Sequence, residues 1–448
     1  MNFLSLIFIC ALPLILALYN FIPKKLRPYL LLIASWSFYL YGSPGSFWIL
    51  LTITLISYVF GLILEKKKSP LLLLAGILLV ISFLIVYKYL GLGLALPVGI
   101  SFYTFQTVSY LIDVYKKSFA AEKSLFKYSL FVSFFPQLVA GPIERPGKLL
   151  SQLKECKTAS YTQIKEGLIL ILTGYYKKIV VADFFAPLVD KVYGDSSLWS
   201  GPVVLFASIL FSLQIYADFS GYSDIARGCA KLFGIELSIN FDHPYLSKTL
   251  RDFWKKWHIT LTRWLTDYIY IPLGGNRKGN TRLIINTLLV FLISGIWHGA
   301  GLKFILWGLG HGIIVLIEDI PSVKRAIEKL PGFLAAIINF MIVDLLWIFF
   351  RAPQTKDALS MIGMLPKGWN KFFLQLTNVF QLSGIPESTG IVFVIISTCL
   401  LYLLPKFINN SKKTHRNIIL LIMVLVTVFV RMYEIELGIT NAFIYFRF

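Results

Sequence analysis

The chain has 448 residues, 57% of them hydrophobic and only 15% charged, against about 45–50% and 25% in an average soluble domain. So little charge cannot solvate a globular surface, and 37 Phe, 23 Tyr and 10 Trp exclude disorder. The 43 Lys and Arg exceed the 23 Asp and Glu to give a net charge of +20, but they sit in short runs between apolar segments rather than on a separate basic module, which excludes nucleic-acid binding.

What remains is an all-α polytopic membrane protein. Continuous apolar runs of about 20 residues are the signature of spanning helices, whereas barrels show alternation. Strong candidates are 2–22, 46–64, 71–90, 202–219, 283–300, 303–320, 333–350, 390–405 and 417–433. Weaker ones are 29–42, 98–115, 127–141 and 165–182, so about 10–12 spans are expected, with re-entrant and interfacial pieces between them. The start, Asn2 to Leu18, has no basic n-region and no small-residue cleavage site, and reads as a first membrane helix rather than a cleaved signal peptide. Basic runs such as Lys24, Lys25 and Arg27, or Lys412, Lys413 and Arg416, are expected to meet anionic membrane lipids. One membrane domain is expected over 1–448: N-terminal helices at 1–90, a core at 91–320, and C-terminal helices at 321–448 ending in an aromatic tail. Cys10, Cys156, Cys229 and Cys399 lie outside metal-ligand spacing of one another, so no metal site is expected.

Two stretches do not read as simple lipid spans. In 97–146, Pro97, Gly99, Gln106, Asp113, Pro136, Gln137, Gly141 and Pro142 interrupt apolar sequence, which membranes tolerate where protein or a watery cavity receives them. In 240–282 there is too much charge to span. At helical spacing Phe253, Trp257, Leu261, Trp264, Leu265 and Tyr268 share one face, and Arg251, Lys255, His258 and Thr262 another. This predicts one amphipathic interfacial helix, broken at Pro272 and followed by the glycine-rich turn Gly274 to Gly279. That turn lacks the GK[ST] of a P-loop, but Arg277 and Lys278 are suited to phosphates.

Histidine is the usual proton-transfer group near neutral pH, and the chain has five. His298 lies within VFLISGIWHGAGLKFILWG, at a depth where an ionisable residue is costly and therefore a functional candidate. Gly295 and Gly299 beside it permit close approach of a helix or a thin substrate. His258 on the basic face suits either a headgroup contact or a substrate contact. His243 before Pro244 reads as turn chemistry, His311 between two glycines as helix packing, and His415 as part of a basic loop. Asp218, Asp224, Asp242, Asp252 and Asp267 are all able to accept a ring N–H from a histidine, and nothing in the sequence singles one out.

Several motifs together carry a resemblance. FDHPYLSKTLRDFWKKWHITLTRWLTDYIYIPLGGNRKG, GIWHGA and LWGLGHG, preceded by PVGISFYTFQTVSYLIDVY and FFPQLVAGPIERP, resemble the membrane-bound O-acyltransferase family. The nearest branch is the alginate and peptidoglycan O-acetylation type, related to the membrane subunit of teichoic-acid D-alanyl transfer. The match covers about residues 90–320 and the final FIYFRF, where Arg447 stands in place of the branch's usual Gln.

The resemblance implies a ring of helices around a central tunnel in a bacterial cytoplasmic membrane, passing an acetyl group from cytoplasmic acetyl-CoA to an extracytoplasmic polysaccharide. It implies no permanently bound cofactor, acetyl-CoA as donor substrate, and an extracytoplasmic transferase as partner. The family's near-invariant histidine maps onto His298 and its second position onto His258. Acyl transfer from a thioester to a hydroxyl needs a base, and desolvation favours the neutral form of His298 that such a base requires. Trp254, Trp257 and Trp297 are expected to line the tunnel and exclude water, and Arg277 and Lys278 to hold the donor's phosphates. Tyr445 is expected either to anchor the tail at the interface or to carry the acetyl group as an aryl ester, an activated acyl carrier. Two alternatives stay open: a D-alanyl transferase fed by a carrier protein, and a transporter of lipid-linked sugars, against which the lack of internal repeats counts.

Overall fold

A computed structural model describes residues 3–410, 413–436 and 443. Among the described residues the regular structure is entirely helical. Among the described residues, six helices are long and apolar enough to cross a membrane: Pro44–Lys66, Pro70–Lys88, Gly201–Leu232, Asn280–His298, Gly332–Arg351 and His415–Met432. A seventh, Leu302–Glu318, continues into Pro321–Lys329 only after an 83° bend, and Leu6–Phe21 and Gly390–Leu403 are apolar but shorter. Among the described residues fewer helices meet the spanning length than the 10–12 expected. Two of the weaker candidates are short or broken helices covered by protein: 12 residues of Ile100–Tyr115 are buried, and 127–141 breaks at Phe134.

The residues group into two compact units, Met1–Thr173 with Tyr222–Ile239, and Gly174–Gly221 with Asn240–Phe448. In the first, α1 (Leu6–Phe21), α2 (Arg27–Gly42), α3 (Phe47–Lys66), α4 (Pro70–Lys88) and α5 (Ile100–Tyr115) precede the short α6 (Leu125–Ser133) and α7 (Phe135–Leu138). The two glutamines of 97–146 pair inside the protein, as burial at membrane depth demands. The amides of Gln106 and Gln137 bond reciprocally at 3.1 and 3.0 Å, and Gln106 also donates to the Phe131 carbonyl at 2.8 Å. At the break after α6, the Phe135 N–H donates to Ser35 Oγ of α2. Gly99 has φ +75° and packs so tightly that a Cβ there would lie 2.4 Å from the Leu138 carbonyl oxygen. The first unit continues with α8 (Pro146–Glu155) and most of α9 (Tyr161–Tyr175).

The second unit holds a π-helical segment, Tyr176–Asp183, then α10 (Phe184–Gly194) and the first 21 residues of α11 (Gly201–Leu232). It continues with α12 (Leu250–Lys256), α13 (Ile259–Leu265), α14 (Asn280–His298), α15 (Leu302–Glu318), α16 (Pro321–Lys329) and α17 (Gly332–Arg351). After these come α18 (Thr355–Met364), α19 (Phe372–Leu382), α20 (Glu387–Asn410) and α21 (Lys413–Glu436). Buried charge is paired here. Lys178 Nζ reaches Asp183 at 2.7 Å and Asp218 at 3.0 Å, and Asp344 accepts from the hydroxyls of Ser208 and Ser212 at 2.7 and 2.6 Å. The α14–α15 pair packs backbone to backbone: a Cβ on Gly295 would lie 2.3 Å from the Phe304 oxygen, and one on Gly308 equally near the Phe291 oxygen. Gly295 thus serves a neighbouring helix, which holds His298 at the end of α14.

Candidate active site

The predicted single helix over 251–268 does not exist. It breaks at Trp257–His258, where His258 adopts φ +42°, a left-handed conformation uncommon outside glycine. Neither glycine nor proline marks the break. A distant segment makes it: the Asn240 carbonyl accepts the Ile259 N–H at 3.0 Å, and Asn240 Oδ1 accepts from Thr260 N and Oγ1 at 3.2 and 2.7 Å. The Asp242 N–H donates to the Lys256 carbonyl at 3.0 Å on the other side. At its other end α12 is capped by Thr249, and its Leu250 and Arg251 N–H groups donate to Glu318 of α15 at 2.6 and 3.2 Å.

The consequence corrects the expected basic face. His258 does not point to water or headgroups with Arg251 and Lys255; it is 1% exposed. Its ring meets Phe219 edge-on at 4.8 Å and lies 6.1 Å from Trp297. Burial holds it neutral, pushing its pKa down to about 3.

His298 closes α14, is 5% exposed, and is walled by aromatic rings: Trp297 at 4.7 Å, and Trp307 and Phe350 each at 5.0 Å. Trp297 therefore touches both histidines. Trp257 packs away from them, against Trp347 at 5.1 Å and Phe241 at 5.1 Å. Trp254 lines a cavity of about 260 Å³.

That cavity lies among α12, α13, α14 and α15. It presents Arg251 and Lys255, the hydroxyls of Thr262, Thr266, Tyr270, Thr287 and Ser294, and the apolar surfaces of Trp254, Leu261, Val290 and Phe291. Thr287, Val290, Phe291 and Ser294 follow one face of α14, and residues three and four apart share a helix face. The next turn of that face carries Trp297 and His298. A slot with cations at one end, a hydroxyl-studded apolar wall and a buried imidazole one turn beyond suits a long thioester with an anionic head.

The cations in this wall are Arg251 and Lys255. Arg277 and Lys278 are exposed on the turn that follows Tyr270, another residue of the wall. Among the aspartates, Asp218 engages Lys178, Asp224 engages Arg227 and Asp252 engages Lys256. Among the described residues no three His, Cys, Asp or Glu side chains cluster as a metal site. His243 adopts φ +44° before Pro244 with its ring 6.3 Å from Tyr402, and His415 is exposed.

Tyr445 and Arg447 lie outside the described residues. Phe443, two residues earlier, is buried against Phe219 with ring centroids 6.0 Å apart, so one ring touches both His258 and the C-terminal motif. Sequence reasoning passed over Phe219, Asn240, Trp307 and Phe350 as site residues. Trp307 stood within LWGLGHG, but the other three carry no local signal.

These features define a multi-pass membrane protein with a buried histidine one helical turn from a cavity. The chain matches the membrane-bound O-acyltransferase family over residues 37–351 and belongs to it. It is 32% identical to the "probable alginate O-acetylase AlgI" of Pseudomonas putida over 428 residues, covering 90% of this chain and 87% of that one. It is 40% identical to the peptidoglycan O-acetyltransferase of Helicobacter pylori over 303 residues, covering 61% and 58%. To the teichoic acid D-alanyltransferase of Streptococcus thermophilus it is 27% identical over 239 residues, covering 49% and 56%. The protein is thus a membrane acyltransferase, which displaces the transporter alternative, and its bacterial relatives place it in a plasma membrane.

Proposed function

We propose that the chain takes an acetyl group from cytoplasmic acetyl-CoA and passes it across the membrane for O-acetylation of an extracytoplasmic polysaccharide. The observation that carries this reading is the cavity that is lined by Arg251 and Lys255 and follows α14 as far as Ser294, one turn before His298. Two relatives are named for alginate and peptidoglycan O-acetylation, and the first aligns along nine-tenths of this chain.

In this reading Arg251 and Lys255 meet the donor's phosphates, and its pantetheine arm lies along the α14 wall. His298 removes the proton from an acceptor hydroxyl as the oxygen attacks the thioester carbonyl. The C–S bond breaks, an O-acetyl ester forms, and the proton passes to the sulfur to release the free thiol. The aromatic wall around His298 excludes the water that would hydrolyse the thioester.

The acceptor hydroxyl is that of Tyr445, whose aryl acetate then yields the group to a separate extracytoplasmic transferase. Burial of Phe443 against Phe219, itself in contact with His258, supports bringing the tail to this site.

Purified protein in nanodiscs with radiolabelled acetyl-CoA tests the reading. Label should appear on the protein and should vanish in both His298→Ala and Tyr445→Phe. Turnover that needs His298 but survives Tyr445→Phe discards the relay. A wild type that ignores acetyl-CoA but accepts a D-alanyl group from a carrier protein replaces the donor.

A further inference from the structure

His311, at mid-length in α15, is fully buried in a cage of five aromatic side chains. Its ring lies nearly parallel to Phe253 and Phe291, at 3° and 17° with centroids 6.4 Å away. It stands edge-on to Trp254 at 5.0 Å and Trp307 at 5.1 Å, with Trp347 at 6.3 Å. A neutral imidazole carries one N–H donor and one acceptor nitrogen. Among the described residues neither nitrogen of His311 has a hydrogen-bond partner, and neither do the indole N–H groups of Trp254 and Trp307. Phenylalanine would fill this cage without burying two unsatisfied polar atoms, so packing does not account for histidine here.

The position of the cage is informative. Trp254 and Phe291 present surface to the donor cavity and also meet His311, while Trp307 meets both His311 and His298. The aromatic partition between cavity and catalytic imidazole therefore rests on His311. Trp254 holds an orphaned donor and His311 an orphaned acceptor, in adjacent rings that are not bonded to each other. A modest rotation of the Trp254 side chain would join them and move the indole out of the cavity wall.

We propose that His311 is a positioning residue for the acyl donor: its imidazole accepts the Trp254 indole N–H when that side chain turns aside to admit the pantetheine arm of a thioester. The proposal rests on the reading of this cavity as the donor site and adds the residue that sets its inner wall. The pantetheine arm is common to coenzyme A and to acyl carrier proteins, so the device recognises the arm and not what carries it.

Steady-state transfer with acetyl-CoA, S-acetylpantetheine and an acetylated carrier protein tests this in His311→Phe, His311→Gln, Trp254→Phe and the His311→Phe/Trp254→Phe double variant. Loss of one hydrogen bond predicts a KM about tenfold higher in His311→Phe for whichever donors the wild type uses, with kcat changed less. His311→Gln retains an acceptor and should recover most of that loss. The double variant should be no worse than either single one, because both break the same bond. Wild-type kinetics in His311→Phe, or Gln and Phe variants equally impaired with lowered thermal stability, overturns the proposal and leaves the donor site intact. A wild type that turns over none of the three donors overturns the donor reading and this proposal together. Use of the carrier-bound donor alone, with the same dependence on His311, supports the proposal and assigns the arm to a carrier protein.

Discussion

Trp307 meets His298 edge-on, with ring centroids 5.0 Å apart and ring planes at 87°. The contact joins α15 to the last residue of α14, so the geometry of the buried imidazole depends on how these two helices pack. Trp307→Ala should lower kcat by about 10²-fold through misplacement of His298, whereas Trp307→Phe should keep most activity. His298→Ala should cost about 10²–10⁴-fold, the usual range for a lost general base. Single-turnover rates with saturating donor measure both, and an active His298→Ala enzyme would remove His298 from the chemistry.

The helix pair itself can be perturbed without touching a ring. A Cβ at Gly295 would collide with the Phe304 carbonyl oxygen at 2.3 Å, so Gly295→Ala must push α15 away from α14. Overpacking of this kind costs about 1–3 kcal/mol. The variant should show a lower melting temperature in detergent and reduced transfer. Unchanged values for both would mean the two helices have slack here.

His258 makes a prediction about pH. Its pKa lies near 3 in the folded protein and near 6.5 in an unfolded chain. Between those values the unfolded chain binds a proton that the folded one does not. Stability is therefore full above about pH 6.5 and falls as pH drops, by up to about 1.4 kcal/mol per pH unit from this residue. Melting temperatures in nanodiscs from pH 8 to pH 4.5 should decline for the wild type and decline less steeply in His258→Gln. Parallel declines in the two proteins would assign the acid sensitivity elsewhere.

Asn240 holds the backbone at His258 by accepting from Ile259, Thr260 N and Thr260 Oγ1. In Asn240→Ala the side-chain acceptor is lost and a buried donor is stranded, at a cost of about 1–3 kcal/mol. The strained φ of His258 should then relax. Limited proteolysis between α12 and α13 should speed up, and transfer should fall with it; resistance equal to wild type would show that the break is held by other contacts.

Lys178 sits between Asp183 and Asp218, all three buried. Removing one member of a buried charge set costs about 3–5 kcal/mol because the remaining charge is uncompensated. Lys178→Met should therefore fold poorly, and adding Asp183→Asn and Asp218→Asn should restore yield. Expression and monodispersity of the single and triple variants decide it: a well-behaved single variant would mean the charges are screened.

The membrane class, the helical composition and the family were legible because they rest on hydrophobic content and on long ordered motifs. The burial of His298 was legible too, as an ionisable residue inside an apolar run. The break at His258 was not. Residues 251–268 hold an unbroken helical pattern with no glycine or proline, and the interruption comes from Asn240, which is distant enough in sequence to leave no periodic trace. The same blindness placed His258 on an exposed basic face when it is buried against Phe219. It also hid the pairing of Asp218 with Lys178, since hydrogen-bond partners at membrane depth are chosen by helix packing and not by spacing along one helix.

By itself, then, the sequence determined what kind of solvent this chain needs and which histidine is set deep in an apolar run, because burial cost and motif order are properties of local sequence. Only the tertiary structure decided which rings enclose that histidine, which cations line the cavity beside α14, and that His311 packs against Trp254, Phe291 and Trp307. Those are contacts among α12, α14, α15 and α17, set by the close approach that Gly295 and Gly308 permit, and no periodicity within any one helix encodes them.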